Sequence, residues 1–565
     1  MVRKQRRPLP SQKTETVTGS TPLCLSERRF VAERLSSNGC KCHSVTLAAR
    51  ISRNGPLHTT MHEFKTRYPC ITDLLVFTAG VLLPLAFAPF DFWPLAILLP
   101  VVLMWSWDGT TPRRAARRGG LFGLGAYGFG IYWIFISLHD YGHASALFSA
   151  LATFAVVLLM ALYLAALGGL VNRCRSPRGP IRWLLVIPAL WVLLDWVRSW
   201  LFTGFPWLAL GYSQTNSPLG NLASYLGVFG VGWAVLLSAG LLRTLLRDAD
   251  GRKRLCWMGL LATLWISAWV LGQVAWVKPA GAPLRVALVQ SNVAQNQKWE
   301  PSTLGETLRR YVQLSLPEHG RSDVIIWPET AIPAFLDDVR PFVAALAGEA
   351  QKAQVDYITG IPTGSRETGI FHNSIISIGR SPGLYHKRQL LVFGEYLPLR
   401  TLFLFFRHWV DIPMADFTAG EREQPLFRAG GQPVGLSICF EAAFGSEIRL
   451  ALPEATWLIN ISNDAWFKDS MAPHQHLQIA QMRALEVGRY MARATNTGVS
   501  AMIDERGQIR VRGAQFQAEV IRDSVQPLQG LTPYARFGDW PTVSLMIGLL
   551  GVGLFSSQRQ TAETA

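Results

Sequence analysis

Charge is what this chain has least of. Charged residues fill 16% of its 565 positions, where soluble domains carry roughly a quarter, and 49% of positions are hydrophobic before glycine is counted. So little charge excludes an all-soluble protein, and a large part of the chain is expected in lipid. Cysteine is scarce too. The seven cysteines, Cys24, Cys40, Cys42, Cys70, Cys174, Cys256 and Cys439, show no spacing that suggests a disulfide framework. Cys40, Cys42 and His43 lack a second ligand pair at zinc-site distance, and His474 and His476 are two apart and diverge on a helix, so neither makes a metal site. There is no phosphate-binding loop, and no cofactor is expected.

The charge that is present is mostly positive, a net +16, and its placement argues against nucleic acid. Residues 1–60 hold 11 basic and 3 acidic side chains, half of the excess, with no apolar run long enough for a signal-peptide core. That stretch reads as a disordered extension, with Met61 as a candidate initiator. From residue 71 apolar runs begin, at 71–90, 92–107, 121–138, 146–171, 184–200, 222–242, 257–276 and 540–555, most near the roughly 20 residues that cross a bilayer. Arg113, Arg114, Arg117 and Arg118 follow the second run; Arg173, Arg175, Arg178 and Arg182 the fourth; Arg243, Arg247, Arg252, Lys253 and Arg254 the sixth. The alternate loops, 137–145 and 201–221, contain no Lys or Arg. By the positive-inside rule the basic loops are cytoplasmic, and seven crossings place the segment after Trp276 on the far side. Asp195 and Arg198, three apart on a helix, can pair; a transporter reading would start from them, whereas the ordinary reading is an interfacial pair whose heads reach water.

Between residues 283 and 527 the pattern changes. Strand-like runs at 284–290, 324–327, 357–361, 374–378, 434–439 and 456–462 alternate with helix-like stretches at 303–314, 339–353 and 475–492, which predicts an α/β domain of about 240 residues. Cys439 is the only cysteine after Lys278 and ends one of the apolar runs; Glu441 follows, and Glu329, Lys387 and Glu395 sit at or after the ends of others. A carboxylate that takes the thiol proton and a cation that favours thiolate and steadies an oxyanion make a chemical set with such a cysteine.

WPETAIP, HKRQLLVFGEYLP and ICFE, in that order, resemble the Glu, Lys and Cys motifs of the nitrilase, or carbon-nitrogen hydrolase, superfamily. With the flanking apolar spans, NVAQNQKW, NISNDAWF, the stretch beginning HQHLQIAQMRALEVGRY and GLTPYARFGDWP, the chain is most similar to the bacterial apolipoprotein N-acyltransferases over about 71–555. The resemblance implies Glu329 as general base, Lys387 as oxyanion stabiliser and Cys439 as nucleophile, with Glu395, Glu441, Trp299 and Trp466 as supporting or substrate-binding residues. Phe440 departs from the family's usual Tyr and Val392 from its usual Pro. The implied fold is a multi-span α-helical membrane bundle of about eight spans plus an extramembrane nitrilase-like α-β-β-α sandwich. The implied organisation is a seven-span bundle at 71–277, a periplasmic catalytic domain at 283–527 and a last helix at 540–555. Both termini would lie in the cytoplasm of a bacterium, the protein in its inner membrane. The expected reaction takes an acyl chain from a membrane phospholipid onto Cys439 and passes it to the N-terminal diacylglyceryl-cysteine of an apolipoprotein. The alternative is a membrane-tethered amidase or nitrilase hydrolysing a small C–N bond. Phe403, Phe405 and Phe406, in the apolar loop 397–412, are expected to form a lid at the bilayer surface.

Overall fold

The computed structural model describes residues 64–173, 179–392, 394–396 and 417–562, with side chains to 556. The extension 1–60, the lid phenylalanines and the cysteines at 24, 40, 42 and 174 lie outside the described residues. Helices of eight or more residues are α1 (Pro69–Leu82), α2 (Leu95–Trp107), α3 (Pro112–Gly130), α4 (Ala146–Arg173), α5 (Ile187–Arg198), α6 (Ala223–Arg247), α7 (Gly251–Leu271), α8 (Leu304–Ser315), α9 (Arg340–Ala353), α10 (Ala472–Val487) and α11 (Trp540–Ala562).

Four helical segments among the described residues are long and apolar enough to cross a bilayer: Pro69–Ala86, Ala146–Arg173, Pro218–Arg247 and Gly251–Leu271. A fifth is added if Pro112–Gly130 and Trp133–Tyr141, bent by 48°, are one span. The predicted runs 92–107, 184–200 and 540–555 fall on shorter helical pieces: α2 has 13 residues, α5 has 12 after a π turn, and the apolar part of α11 is Trp540–Ser556. At about 1.5 Å per residue α2 reaches roughly 20 Å, short of a 30 Å hydrocarbon layer, whereas α5 continues the π turn Arg182–Val186 and α11 runs on to Ala562, which lengthens both. Glycine lets the first helices touch. A Cβ on Gly119 would meet the Leu164 carbonyl oxygen of α4 at 2.1 Å. α3 and α4 therefore meet backbone to backbone, where lipid supplies no hydrophobic drive and close packing must hold them.

Among the described residues, twelve strands make two six-stranded sheets: β1 (Leu284–Gln290), β2 (Val324–Ile326), β3 (Asp356–Ser365), β4 (Ile370–Ile378), β5 (Gly383–His386), β6 (Phe427–Ala429), β7 (Gln432–Ile438), β8 (Trp457–Ser462), β9 (Met491–Thr495), β10 (Ala501–Ile503), β11 (Ile509–Arg512) and β12 (Glu519–Val525). Their orders are β12-β1-β2-β3-β4-β5 and β11-β10-β9-β8-β7-β6. In each, a parallel core, β1-β2-β3 or β7-β8-β9, is flanked by antiparallel edges. Val286, Leu288, Val324 and Ile326 of one sheet pack on Val434, Leu436, Ile459 and Ile461 of the other. The opposite face of the first sheet packs under α8 and α9, and that of the second under α10, giving an α-β-β-α sandwich. Helices cover the outer faces, so these strands read as unbroken apolar runs rather than alternating ones.

The helix predicted over 475–492 instead starts at Ala472 and stops at Val487. Gly488 takes the left-handed conformation at φ 63°, which caps the helix, and Met491 begins β9. Polar residues of α10 tie the sandwich to the membrane helices. Gln475 Oε1 accepts from the Trp133 and Trp207 indoles at 3.2 and 2.7 Å and its amide donates to the Gly130 carbonyl at 3.2 Å. Glu486 accepts the Val228 N–H at 2.7 Å.

Candidate active site

Three chain turns at the ends of strands deliver the acid, the lysine and the thiol. Glu329 follows β2. Its turn runs so close to β3 that a Cβ on Gly360 would lie 2.4 Å from the Thr330 nitrogen and 2.7 Å from Glu329 Cα; glycine there is what the close approach requires. Lys387 follows β5, and its N–H donates to the Asn373 carbonyl at 2.8 Å. Cys439 follows β7 at φ 51° and begins a 3-10 turn, Cys439–Ala443. A left-handed non-glycine residue costs roughly 1–3 kcal/mol and persists where neighbours fix it.

One cluster joins these side chains. Lys387 Nζ lies 2.8 Å from Glu395 Oε2 and 3.6 Å from Glu329 Oε1. The Asn373 amide nitrogen is 2.8 Å from both Glu329 Oε1 and Glu395 Oε1, which separates the two carboxylates by a shared donor. Glu329 Oε2 accepts the Asn463 N–H at 2.9 Å. Lys298, buried, donates from Nζ to the Glu329 carbonyl at 3.0 Å. Cys439, Glu329, Glu395, Trp299 and Trp466 line one cavity of about 120 Å³, together with Leu138 from the bent helical segment. A larger cavity, about 750 Å³, adjoins the far side of the turn that begins at Cys439, along Ala443 and Phe444, and is bounded by Trp196 and Trp200. It does not contain the thiol.

The electrostatics assign a protonated thiol at rest. Burial, followed by the Glu329 carboxylate, pushes Cys439 up to about 12, against the pull of Lys387 and a Ser462 hydrogen bond. Burial also works against the Lys387 charge, but Glu395 and Glu329 outweigh it and raise this ammonium above its usual range. The expected cation effect on the thiol is thus present but outweighed by burial and by the Glu329 charge. A raised thiol pKa means less thiolate at any pH below it. Alkylation of Cys439 by iodoacetamide is therefore expected to be slower at pH 8 than that of a free cysteine peptide in the same solution, and to keep rising above pH 9; peptide mass spectrometry reads it, and faster alkylation of Cys439 at pH 8 contradicts this assignment.

Glu441 is fully buried and outside the cavity lining. Its carboxylate accepts the Ile438 N–H at 2.7 Å, the Arg388 and Gln389 N–H groups at 2.6 and 3.2 Å, and faces the Tyr385 hydroxyl at 3.0 and 3.1 Å. One side chain therefore staples the turn bearing Lys387 to the turn bearing Cys439. Burial pushes its carboxyl above the usual range, opposed first by the Ile438 N–H. Glu441→Gln puts an NH2 among these donors. It is expected to cost about 1–3 kcal/mol of stability and, by loosening both turns, to slow turnover on the order of 10²-fold; denaturant midpoints and steady-state rates check both, and wild-type values for either would refute the staple.

Phe440, lacking the usual hydroxyl, stacks on Phe205 and Trp207 at ring separations of 6.5 and 6.3 Å. The loop it rests on is held by Arg198, which donates to the Phe205 and Trp207 carbonyls at 2.6 and 2.8 Å and pairs with Asp195 at 2.9 Å. The expectation that both heads of this pair reach water is corrected: Arg198 is 1% exposed, because backbone carbonyls replace solvent as its partners. Trp299, 37% exposed, lies at the cavity edge, and Trp466 packs edge-on against Tyr141. His474 meets Arg512, whereas His476 turns inward to Asp464. Asn373, Asn463, Lys298 and His476 were not singled out as site groups from sequence; Lys298 lies in NQKW, Asn463 in NISNDAWF and His476 in the stretch beginning HQHLQ, whereas Asn373 lies in no motif named from the sequence.

Acid, lysine and thiol on an α-β-β-α frame, over the stretch 285–532 matched by the family model for carbon-nitrogen hydrolase, define a nitrilase-fold enzyme. Residues 79–241 match the apolipoprotein N-acyltransferase N-terminal domain. An apolipoprotein N-acyltransferase of Methylococcus capsulatus is 44% identical over 493 residues, 87% of this chain and 97% of that one. One from Azotobacter vinelandii is 41% identical, over 87% of this chain and 96% of its own length. The chain belongs to the apolipoprotein N-acyltransferase family and is an acyltransferase. Among solved structures, a carbon-nitrogen hydrolase from Helicobacter pylori G27 is 17% identical, covering 43% of this chain and 89% of its own at a TM-score of 0.33. An amidase from Nesterenkonia sp. is 15% identical, covering 46% and 94% at the same score.

Proposed function

We propose that the enzyme moves an acyl chain from a membrane phospholipid to the α-amino group of the N-terminal diacylglyceryl-cysteine of an apolipoprotein. In the first half, Cys439 Sγ attacks the ester carbonyl while Glu329 takes the thiol proton; the proton then leaves with the lysophospholipid alkoxide and a thioester remains. In the second half the acceptor amine attacks the thioester, Glu329 takes its proton, and the thiol is restored. Lys387 stabilises both tetrahedral oxyanions, held by Glu395. Trp299 and Trp466 line the substrate passage.

The observation that carries this reading is the cavity wall. Cys439 and Glu329 share their cavity with Ser137, Leu138 and Gly142, at and just past the end of the bent helical segment Pro112–Tyr141, which supports substrates arriving along the membrane helices rather than from water. The proposed topology has eight crossings, at the runs named from sequence, with bundle 71–277, catalytic domain 283–527 outside the inner membrane in the periplasm, final span 540–555 and both termini inside. The basic loops support that orientation. Incubation of the purified enzyme with phospholipid and a diacylglyceryl-cysteine peptide tests the reading: an N-acyl peptide and one equivalent of lysophospholipid are expected, and hydrolysis of a small amide with no peptide acylation would overturn it.

A further inference from the structure

Glu329 and Cys439 line the cavity, with Lys387 held against Glu395 and Glu329; behind Cys439 a second set of buried polar groups converges on one backbone atom. His476 Nε2 lies 3.0 Å from the Cys439 carbonyl oxygen, and Nδ1 lies 3.0 Å from Asp464 Oδ1. Asp464 is ion-paired through Oδ2 with Arg493 at 2.9 Å and accepts the Ser462 hydroxyl at 2.9 Å; Arg493 also donates to Asn460 Oδ1. His476, Asp464 and Arg493 are 2%, 1% and 0% exposed, and none lines the catalytic cavity. Burying a histidine, an acid and an arginine is costly unless each is paired. Here the pairing chain runs from β9 through β8's end and α10 to the carbonyl of Cys439.

A carbonyl oxygen only accepts, and so does the Asp464 carboxylate, so both ring nitrogens carry a proton in these two contacts and His476 sits between them as an imidazolium. The peptide after Cys439 is planar and trans, so turning its carbonyl toward α10 turns the Phe440 N–H the other way. Phe440 is the second residue of the 3-10 turn, where an N–H has no partner within the turn. We infer that His476 is a positioning residue: it holds the Cys439 carbonyl against α10, fixes the nucleophile in its left-handed turn, and so aims the Phe440 N–H, beside Lys387, at the oxyanion. The inference rests on Cys439 being the nucleophile.

Full-length His476→Gln, His476→Asn and His476→Leu separate this from a packing role. A glutamine amide reaches the place of Nε2 and keeps the donor to the carbonyl; an asparagine amide reaches only the place of Nδ1. Acyl-enzyme formation from a phospholipid with a fluorescent acyl chain is expected to slow on the order of 10²-fold in His476→Asn and His476→Leu, the scale of a misplaced reacting group. KM for the phospholipid is expected to stay unchanged, and His476→Gln to stay near wild type. Equal slowing in all three, tracking their thermal midpoints, would overturn the inference, as would a wild-type rate in His476→Asn. Should the leucine variant not fold, the asparagine and glutamine pair decides. Absence of an adduct on Cys439 in the unmodified enzyme would instead sink the nucleophile assignment, an outcome visible without any variant.

Discussion

Replacing Cys439 with serine is expected to lower acyl transfer on the order of 10⁶-fold, the scale on which removal of a protease nucleophile acts. The loss is chemical rather than structural. Serine keeps the size of the side chain and tolerates the same turn, so the thermal midpoint is expected to stay within about 2 °C, the shift that roughly 0.5 kcal/mol of stability change gives in a large domain. A hydroxyl, however, is far more basic once ionised than a thiolate. Glu329 would have to take a much less acidic proton, and the resulting ester would give up its acyl group to an amine less readily than a thioester. Steady-state transfer to a diacylglyceryl peptide measures the rate, and retention of more than about a hundredth of wild-type turnover would contradict nucleophilic catalysis by this residue.

Lys387→Met is expected to lose both rate and stability. Its ammonium is the cation 2.8 Å from Glu395 and 3.6 Å from Glu329, and all three groups are buried. Without it, an oxyanion donor is missing, worth roughly 10²–10³ in turnover, and two carboxylates face each other across the Asn373 amide. Breaking a buried pair costs about 3–5 kcal/mol. Two adjacent carboxylates hold a proton more tightly than isolated ones, so the folded pKa of the pair rises above the unfolded value. Stability from that protonation is present at low pH and lost as pH rises. The variant is therefore expected to approach wild-type stability at pH 5 and to fall away from it toward pH 8, as followed by thermal unfolding. Adding Glu395→Gln should recover stability at pH 8 without recovering turnover; recovery of both would show that Lys387 only neutralises Glu395.

The parts of this site legible in the sequence are those whose identity lies in local strings. Glu329, Lys387, Glu395 and Cys439 each stand at or shortly after an apolar run, and strand ends are where rigid backbone meets a cavity, so their order and motif were enough to bring them together. Glu441 was legible as a neighbour of the thiol but not as the staple between two turns, since its partners Tyr385, Arg388 and Gln389 are more than 50 residues away. Asn373, Asn463 and His476 gain their meaning from tertiary contacts with no periodic trace. His476 in particular lies on a helix whose buried face carries Gln475, Gln478 and Glu486, polar residues that hydropathy places outside a core and that the structure spends on fastening the sandwich to the membrane helices. Short edge strands such as Phe427–Ala429 and Ala501–Ile503 are too brief for alternation to register. The helix overextended past Val487 because apolar spacing continues into β9, and only the left-handed Gly488 marks the stop.

The most direct test is the intact mass of the purified enzyme after incubation with phospholipid, beside Cys439→Ser. The proposed chemistry predicts an added acyl mass on Cys439, removed by hydroxylamine and discharged by a diacylglyceryl-cysteine peptide with appearance of its N-acyl product. An enzyme that transfers acyl chains while Cys439 never carries one, or whose adduct persists when the peptide is acylated, would contradict it.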